Sequence, residues 1–258
     1  MQDLIIAGIQ SELHWEDIDA NLAMFSEKID TISENVDLII LPETFSTGFS
    51  MNHSIAESMD EKAVTWIVKK AKERKCCITG SILIKENDEY FNRMIIAKED
   101  GNYLTYDKRH LFSFAKEDKY FSSGEKRLVF ELKGWRICPL ICYDLRFPVW
   151  SKNNEEIDLY FYVANWPAVR SNAWDILLKA RAIENVSYVT GINRVGFDFT
   201  NKHYGGNSSI IDFKGQSIFD FPLDKNHIEI STLNKQKLND FRAKFPALND
   251  GDNFEIKR

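Results

Sequence analysis

At 258 residues, with 44% of them hydrophobic and 13% aromatic, the chain carries enough apolar material for a large packed core and falls within the size reached by single α/β units. Its 33 Lys and Arg against 39 Asp and Glu leave a formal net charge of -6, which gives neither a nucleic-acid polyanion nor an anionic membrane surface an evident electrostatic partner. No run approaches the ~18 apolar residues of a membrane-spanning helix, and MQDLIIAGIQ opens without the basic segment of a secretory signal, so a cytoplasmic address is expected.

The run LIIAGIQ (4–10) reads as a buried strand. A helix is expected through 16–34, because Ile18, Leu22, Phe25, Ile29 and Ile32 recur at spacings of three and four. VDLIILP is a second buried strand. Ser58 and Glu61 make a capping-box pattern ahead of a helix bearing Val64, Ile67, Val68 and Ala71. CITGSILI, YFNRMIIAKEDGNYLTYD, RLVFEL and WRICPLIC are strand-like, with turns at 99–102 and at Lys133-Gly134, and a first hairpin pairing Met94-Ile95-Ile96 with Tyr103-Leu104. IDLYFYVANWP is another buried strand, followed by a helix around 172–185 with Trp174, Leu177, Leu178 and Ile183 facing inward. VSYVTGINRV, SSIIDFKGQSIFDF and HIEIST complete the sheets. From about 233 the chain turns polar with scattered aromatics, and an arm packed on this subunit or a neighbour is expected. No linker, repeat or composition break divides 1–258, so one α/β domain with face-to-face sheets and outer helices is expected.

The four cysteines match no metal spacing, and Cys138 and Cys142, four residues apart on an extended segment, lie ~13 Å from each other, too far to bridge. Reduced thiols are the expectation. The chemistry sits at strand ends. Glu43 closes VDLIILPE, Lys108 interrupts YLTYDKRHLF, and Cys142 ends RICPLIC, each a reactive group beside core-like sequence, where an unpaired charge costs several kcal/mol. Taken singly, the cysteine would read as a small buried hydrophobe, the lysine as a solvated charge and the glutamate as a loop cap. Taken together they supply a thiol nucleophile, a carboxylate base and a cationic oxyanion stabiliser. Pro148 suits the first turn of a helix after Cys142, which would make a strand-nucleophile-helix elbow with the Tyr143 backbone N–H as second oxyanion donor. Glu117, in LFSFAKEDKYF, can position a hydrolytic water or share the base's work, although its charged neighbours also fit a solvated surface.

LPETFSTGF, YDKRHLF and ICYDLRFP resemble the glutamate, lysine and cysteine motifs of the nitrilase superfamily of carbon-nitrogen hydrolases, and the resemblance spans nearly the whole chain. It implies a four-layer α-β-β-α sandwich, commonly dimeric through helices beside the site. It also implies that Glu43 is the general base, Lys108 the oxyanion lysine, Cys142 the nucleophile and Glu117 the second glutamate of many members. YDKRHLFSFAKEDKYF, ICYDLRFPVWSKN, YVANWPAVRSNAWDILLKARAIEN and NRVG are similar to the bacterial omega-amidase branch, which implies a small carboxamide substrate, 2-oxoglutaramate or 2-oxosuccinamate. Such a substrate needs a cation for its distal carboxylate, with Arg170 the first candidate and Arg146 the competitor. Phe45, Phe114 and Trp166 are candidate apolar walls. The chemistry requires no metal or organic cofactor. An N-carbamoyl amine or a nitrile would use the same three groups, whereas a noncatalytic dimeric binding protein on this scaffold would have no need of all three.

Overall fold

The computed structural model describes residues 2–252 and 254–256. The first half of the chain builds one six-stranded sheet from β1 (Leu4–Gln10), β2 (Leu38–Ile40), β3 (Cys77–Glu86), β4 (Glu89–Ala97) and β5 (Tyr103–Asp107). The second half builds another from β6 (Phe130–Leu132), β7 (Trp135–Ile141), β8 (Leu159–Ala164), β9 (Tyr188–Asn193), β12 (Ser209–Ile211) and β13 (Ser217–Asp220), with a separate hairpin of β10 (Val195–Phe197) and β11 (His203–Gly205). Strand β14 (His227–Leu233) returns to the first sheet and pairs antiparallel with β1, Leu4 opposite Leu233. The orders are β14-β1-β2-β3-β4-β5 and β13-β12-β9-β8-β7-β6. Each sheet thus has three parallel central strands, β1-β2-β3 or β7-β8-β9, flanked by antiparallel ones.

Strand alternation divides the core into layers. Leu4, Ile6, Leu38 and Ile40 face the second sheet, among Cys138, Leu140, Tyr160 and Tyr162. Their neighbours Ala7, Ile9, Ile39 and Leu41 point the other way, onto helices α1 (Ile18–Asp30) and α2 (Lys62–Arg74). Helix α3 (Ser171–Asn185) covers the second sheet, and Gly191 makes its close approach possible: a Cβ there would stand 2.5 Å from Leu178 and 2.7 Å from Trp174. The result is the four-layer α-β-β-α sandwich.

Several expectations need correction. The first helix is shorter than 16–34: Asp17 caps it by accepting from Ala20 N–H at 3.0 Å, and Ile32 stays buried just beyond its end. Only half of the capping box forms. Glu61 accepts from Ser58 N–H, but the Ser58 hydroxyl bonds Asp60, and Glu61 itself is the N-cap. The first hairpin is β3-β4, turned at Asn87-Asp88, both at positive φ; in β4-β5, Ile96 pairs with Leu104, but Met94 pairs with Tyr106. Ile183 is 56% exposed, because the sheet-facing stripe of α3 runs through Trp174, Leu178 and Ala182 at spacings of four.

The polar tail forms helix α4 (Lys235–Lys244), packed on its own subunit. Leu238 is buried, Phe241 meets Phe213, and Arg242 donates to the carbonyls of Ile157 and Val186 and to Asp158. These partners precede β8 and β9, so α4 closes the end of the second sheet remote from Cys142.

Candidate active site

Parallel strands bring their carboxyl ends together. Glu43 follows β2, Cys142 follows β7, and Asn165 and Trp166 follow β8, while Lys108 leaves β5 with its N–H donating to Asn92 O at 3.0 Å. Gly124 lets the next loop press against this turn: a Cβ there would lie 2.1 Å from the Asp107 carbonyl oxygen.

Glu43 and Lys108 are both fully buried. Lys108 Nζ donates to Glu43 Oε1 at 2.9 Å and to both carboxylate oxygens of Glu117 at 3.0 Å. Glu117, read in the sequence as a candidate for solvation, is buried instead. Lys116 at φ 62° turns it inward, and Phe112 N–H donates to Glu117 Oε2 at 2.6 Å. Asn92 Nδ2 spans the two carboxylates, 2.9 Å from Glu43 Oε1 and 3.4 Å from Glu117 Oε1. Asn165 completes the cradle: its N–H donates to Glu43 Oε2 at 2.7 Å and its Nδ2 to Glu43 O at 2.7 Å. Sequence reasoning passed over Asn92. The usable signal was an amide in the middle of YFNRMII, since Asn is depleted in strands.

Burial alone would lower the pKa of Lys108, but Glu117 and Glu43 outweigh it and hold the ammonium above its ordinary range. Burial raises Glu117, with Lys108 opposing and Glu43 adding to the rise. Burial also pushes the Cys142 thiol well above its ordinary range; the Glu43 charge adds to this and Lys108 opposes it. The Cys142 thiol is therefore held in its neutral form.

Cys142 has φ 45°, in the left-handed region, as does Thr44 beside Glu43 at φ 44°. Such backbone costs roughly 1–3 kcal/mol and persists only where the surroundings fix it. Asp144 does so here. Its Oδ2 accepts from Ile141 N–H at 3.0 Å and from the Tyr106 hydroxyl at 2.7 Å, and its Oδ1 accepts from His110 N–H at 2.9 Å. The helix expected after the nucleophile is a short 3-10 turn, Cys142–Arg146, with Pro148 beyond it. An extended helix dipole at the thiol is absent, in keeping with its raised pKa. Tyr143 is the second residue of this turn, where a backbone N–H has no intrahelical acceptor.

Cys142 opens into a cleft enclosing about 450 Å³, open solvent at its mouth included, lined by Phe49, Phe112, Ala115, Tyr143, Arg146, Asn165, Trp166, Pro167, Arg170, Lys202 and Tyr204. Of the three expected walls only Trp166 lines it. Phe45 is core, wedged against Phe25, Trp66 and Gly80 on the helix side of the first sheet, because residues on either side of Thr44 point to opposite faces. Phe114 is 82% exposed outside the lining, and Phe112 takes its place. Both candidate arginines line the cleft. Arg146 lies 5.0 Å over the Trp166 ring and Arg170 5.3 Å over Phe112, and neither has a carboxylate partner among the described residues. Lys202 and Tyr204, from the β10-β11 hairpin, were not anticipated.

The sequence model of the family described as carbon-nitrogen hydrolase matches residues 5–243. The chain belongs to the carbon-nitrogen hydrolase family. Within it, the chain is 41% identical over 256 residues to "Omega-amidase YafV" of Escherichia coli (strain K12), covering 99% of this chain and 100% of that protein. It is 30% identical over 251 residues to a "2-oxoglutaramate amidase" of Bacillus subtilis (strain 168), covering 95% and 96%. A CN-hydrolase superfamily protein of Xanthomonas campestris, solved with an arsenic adduct in its active site, superposes with a TM-score of 0.97 at 41% identity and full coverage of both chains. Saccharomyces cerevisiae Nit3, a member of branch 10 of the nitrilase superfamily, does so with a TM-score of 0.85 at 25% identity, covering 95% of each chain. The carbon-nitrogen hydrolase fold thus accompanies the buried Glu43 and Lys108 and the half-buried Cys142.

Proposed function

We propose that this carbon-nitrogen hydrolase is an omega-amidase, which converts the terminal carboxamide of 2-oxoglutaramate or 2-oxosuccinamate to the 2-oxo dicarboxylic acid and ammonia. The observation that carries the reading is a thiol lining a small cleft beside the buried Glu43-Lys108-Glu117 cluster, with two arginines free of carboxylate partners at the cleft's mouth. The similarity to omega-amidases over nearly the whole chain supports the same reaction.

Glu43 takes the Cys142 proton as the sulfur attacks the carboxamide carbon. The developing oxyanion is met by Lys108 Nζ and the Tyr143 N–H. Lys108 has three protons: one serves Glu43, one shared between the two oxygens of Glu117 leaves the third for substrate. Glu43 returns its proton to the nitrogen, the C–N bond breaks, and ammonia leaves a thioester. Water then attacks the thioester, giving one proton to Glu43 and its hydroxide to the acyl carbon. The acid departs and the sulfur regains its proton from Glu43. Glu117 anchors Lys108 and helps to orient that water. Arg170, with Arg146 beside it, holds the distal carboxylate against the wall formed by Trp166.

Residues 1–258 form one such catalytic domain in this reading, working as a cytoplasmic homodimer. The exposed Ile176 and Ile183 on α3 support a partner against that helix, and the four free cysteines suit a reducing compartment. A solution mass equal to one 30.0 kDa chain would refute the dimer. The activity is tested by ammonia release from 2-oxoglutaramate beside an N-carbamoyl amine and a simple nitrile, with Cys142→Ala as blank. Selective turnover of the 2-oxo amide is expected; activity surviving in the blank would remove the mechanism. Arg170→Ala should raise KM for acidic amides more than for neutral ones, and equal losses would count against the clamp.

A further inference from the structure

The mouth of the cleft carries a charge pattern that amide hydrolysis does not require. Three cations line it, Arg146, Arg170 and Lys202, and no lining residue is acidic. The carboxylates closest to the nucleophile, Glu43 and Glu117, are already held by Lys108. Lys202 reaches the cleft from a separate element, the β10-β11 connection, and that connection is organised by Asp198. Asp198 Oδ1 accepts from the N–H of Thr200 at 2.8 Å, from its hydroxyl at 2.6 Å and from the N–H of Lys202 at 3.0 Å. Its Oδ2 accepts from the Tyr204 hydroxyl at 3.1 Å. Lys202 Nζ stands 3.8 Å from that same oxygen, too long for a hydrogen bond, and its side chain is 47% exposed. Asp198 thus folds the loop and fixes Tyr204, and it pairs with Lys202 only by charge, at 3.8 Å, so that the N–H donors of the Lys202 ammonium stay open to a ligand.

Resting on the omega-amidase reading, we propose that Lys202 is a specificity-determining residue which, with Arg146 and Arg170, selects against an ammonium at carbon 2 of the substrate. The site then takes amides of 2-oxo acids and rejects amides of α-amino acids that carry the same carboxylate and the same carboxamide. One arginine suffices to neutralise a single carboxylate, so the second leaves excess positive charge beside it, where the carbon-2 substituent sits, and Lys202 offsets Asp198, the one carboxylate near the mouth that an ammonium could use. A 2-oxo oxygen is neutral and accepts hydrogen bonds from Lys and Arg donors. An ammonium in its place meets donors and like charge, with no lining carboxylate to receive it.

The test compares kcat/KM for 2-oxoglutaramate, glutaramate and glutamine in the wild-type protein, Lys202→Met and Lys202→Arg. Glutaramate and glutamine share chain length, carboxylate and carboxamide and differ only in the carbon-2 ammonium. The wild type is expected to favour glutaramate over glutamine by at least about 100-fold, Lys202→Met to shrink that ratio about tenfold, and Lys202→Arg to retain it, as removal of one of several like charges near the substituent requires. A ratio unmoved in Lys202→Met, with all three rates falling by a common factor, would reduce Lys202 to a structural role and overturn the proposal. A wild type that uses glutamine as well as glutaramate would also overturn it. Failure of the underlying reading registers separately, as a wild type that does not turn over 2-oxoglutaramate, and takes this inference with it.

Discussion

Replacing Lys108 by Met keeps the length of the side chain and removes the charge that two buried carboxylates share. In the wild type, Lys108 Nζ lies 2.9 Å from Glu43 and 3.0 Å from Glu117, with all three side chains essentially excluded from solvent. Breaking a buried pair by deleting one partner typically costs ~3–5 kcal/mol. The variant has an escape, which is to bind a proton on one of the two carboxyls. Protonating one ordinary carboxyl costs about 3.7 kcal/mol at pH 7 and about 1.6 kcal/mol at pH 5.5, at 1.36 kcal/mol per unit from a starting value near 4.3. The sign follows from proton counting. The folded variant binds more protons than its unfolded chain across this range, so its stability rises as pH falls. Lys108→Met is therefore expected to be destabilised by about 4 kcal/mol at pH 7 and to regain about 2 kcal/mol relative to wild type at pH 5.5. Urea unfolding of both proteins at the two pH values, followed by tryptophan fluorescence, measures the difference directly. A loss below about 1 kcal/mol, or one that does not change with pH, would refute the account of Lys108 as the shared counter-charge.

Two further predictions concern the same cluster. Because burial and Glu43 hold the Cys142 thiol above its ordinary range, alkylation by iodoacetamide should keep accelerating beyond about pH 8.5, the value of a free cysteine. A rate already level near pH 6 would indicate a preformed thiolate; the other cysteines, all buried, give little background. Asn92→Ala removes the donor that spans Glu43 and Glu117 and should lower kcat about 10- to 100-fold with a smaller change in KM, as loss of a charge-assisted hydrogen bond worth about 1.5–3 kcal/mol implies. An effect confined to KM would remove Asn92 from the positioning of the base.

Local pattern carried much of this molecule. Apolar runs at period two and helical stripes at period three to four marked β1, β2, β7, β8, α1, α2 and α3, because burial on one face leaves its signature in the order of residues. Glu43, Lys108 and Cys142 were legible for a related reason: a reactive or charged group beside core-like sequence needs partners, and three such groups could supply them to one another. Tertiary structure decided what depends on chain segments meeting from far apart. Glu117 sits in a charged string that reads as surface, and only the turn at Lys116 and the reach of Lys108 bury it. Phe45 and Phe49 are alike in sequence terms, yet one fills the core against α1 and α2 and the other lines the cleft. The elbow after Cys142 looked helical from Pro148 but is a single tight turn, held by Asp144 through contacts with Tyr106 and His110. Lys202, nearly a hundred residues beyond Lys108, joins the site only because the β10-β11 hairpin folds over the cleft. A sequence records which residues must be buried or paired; which partner each one finds is fixed when the two sheets close on each other.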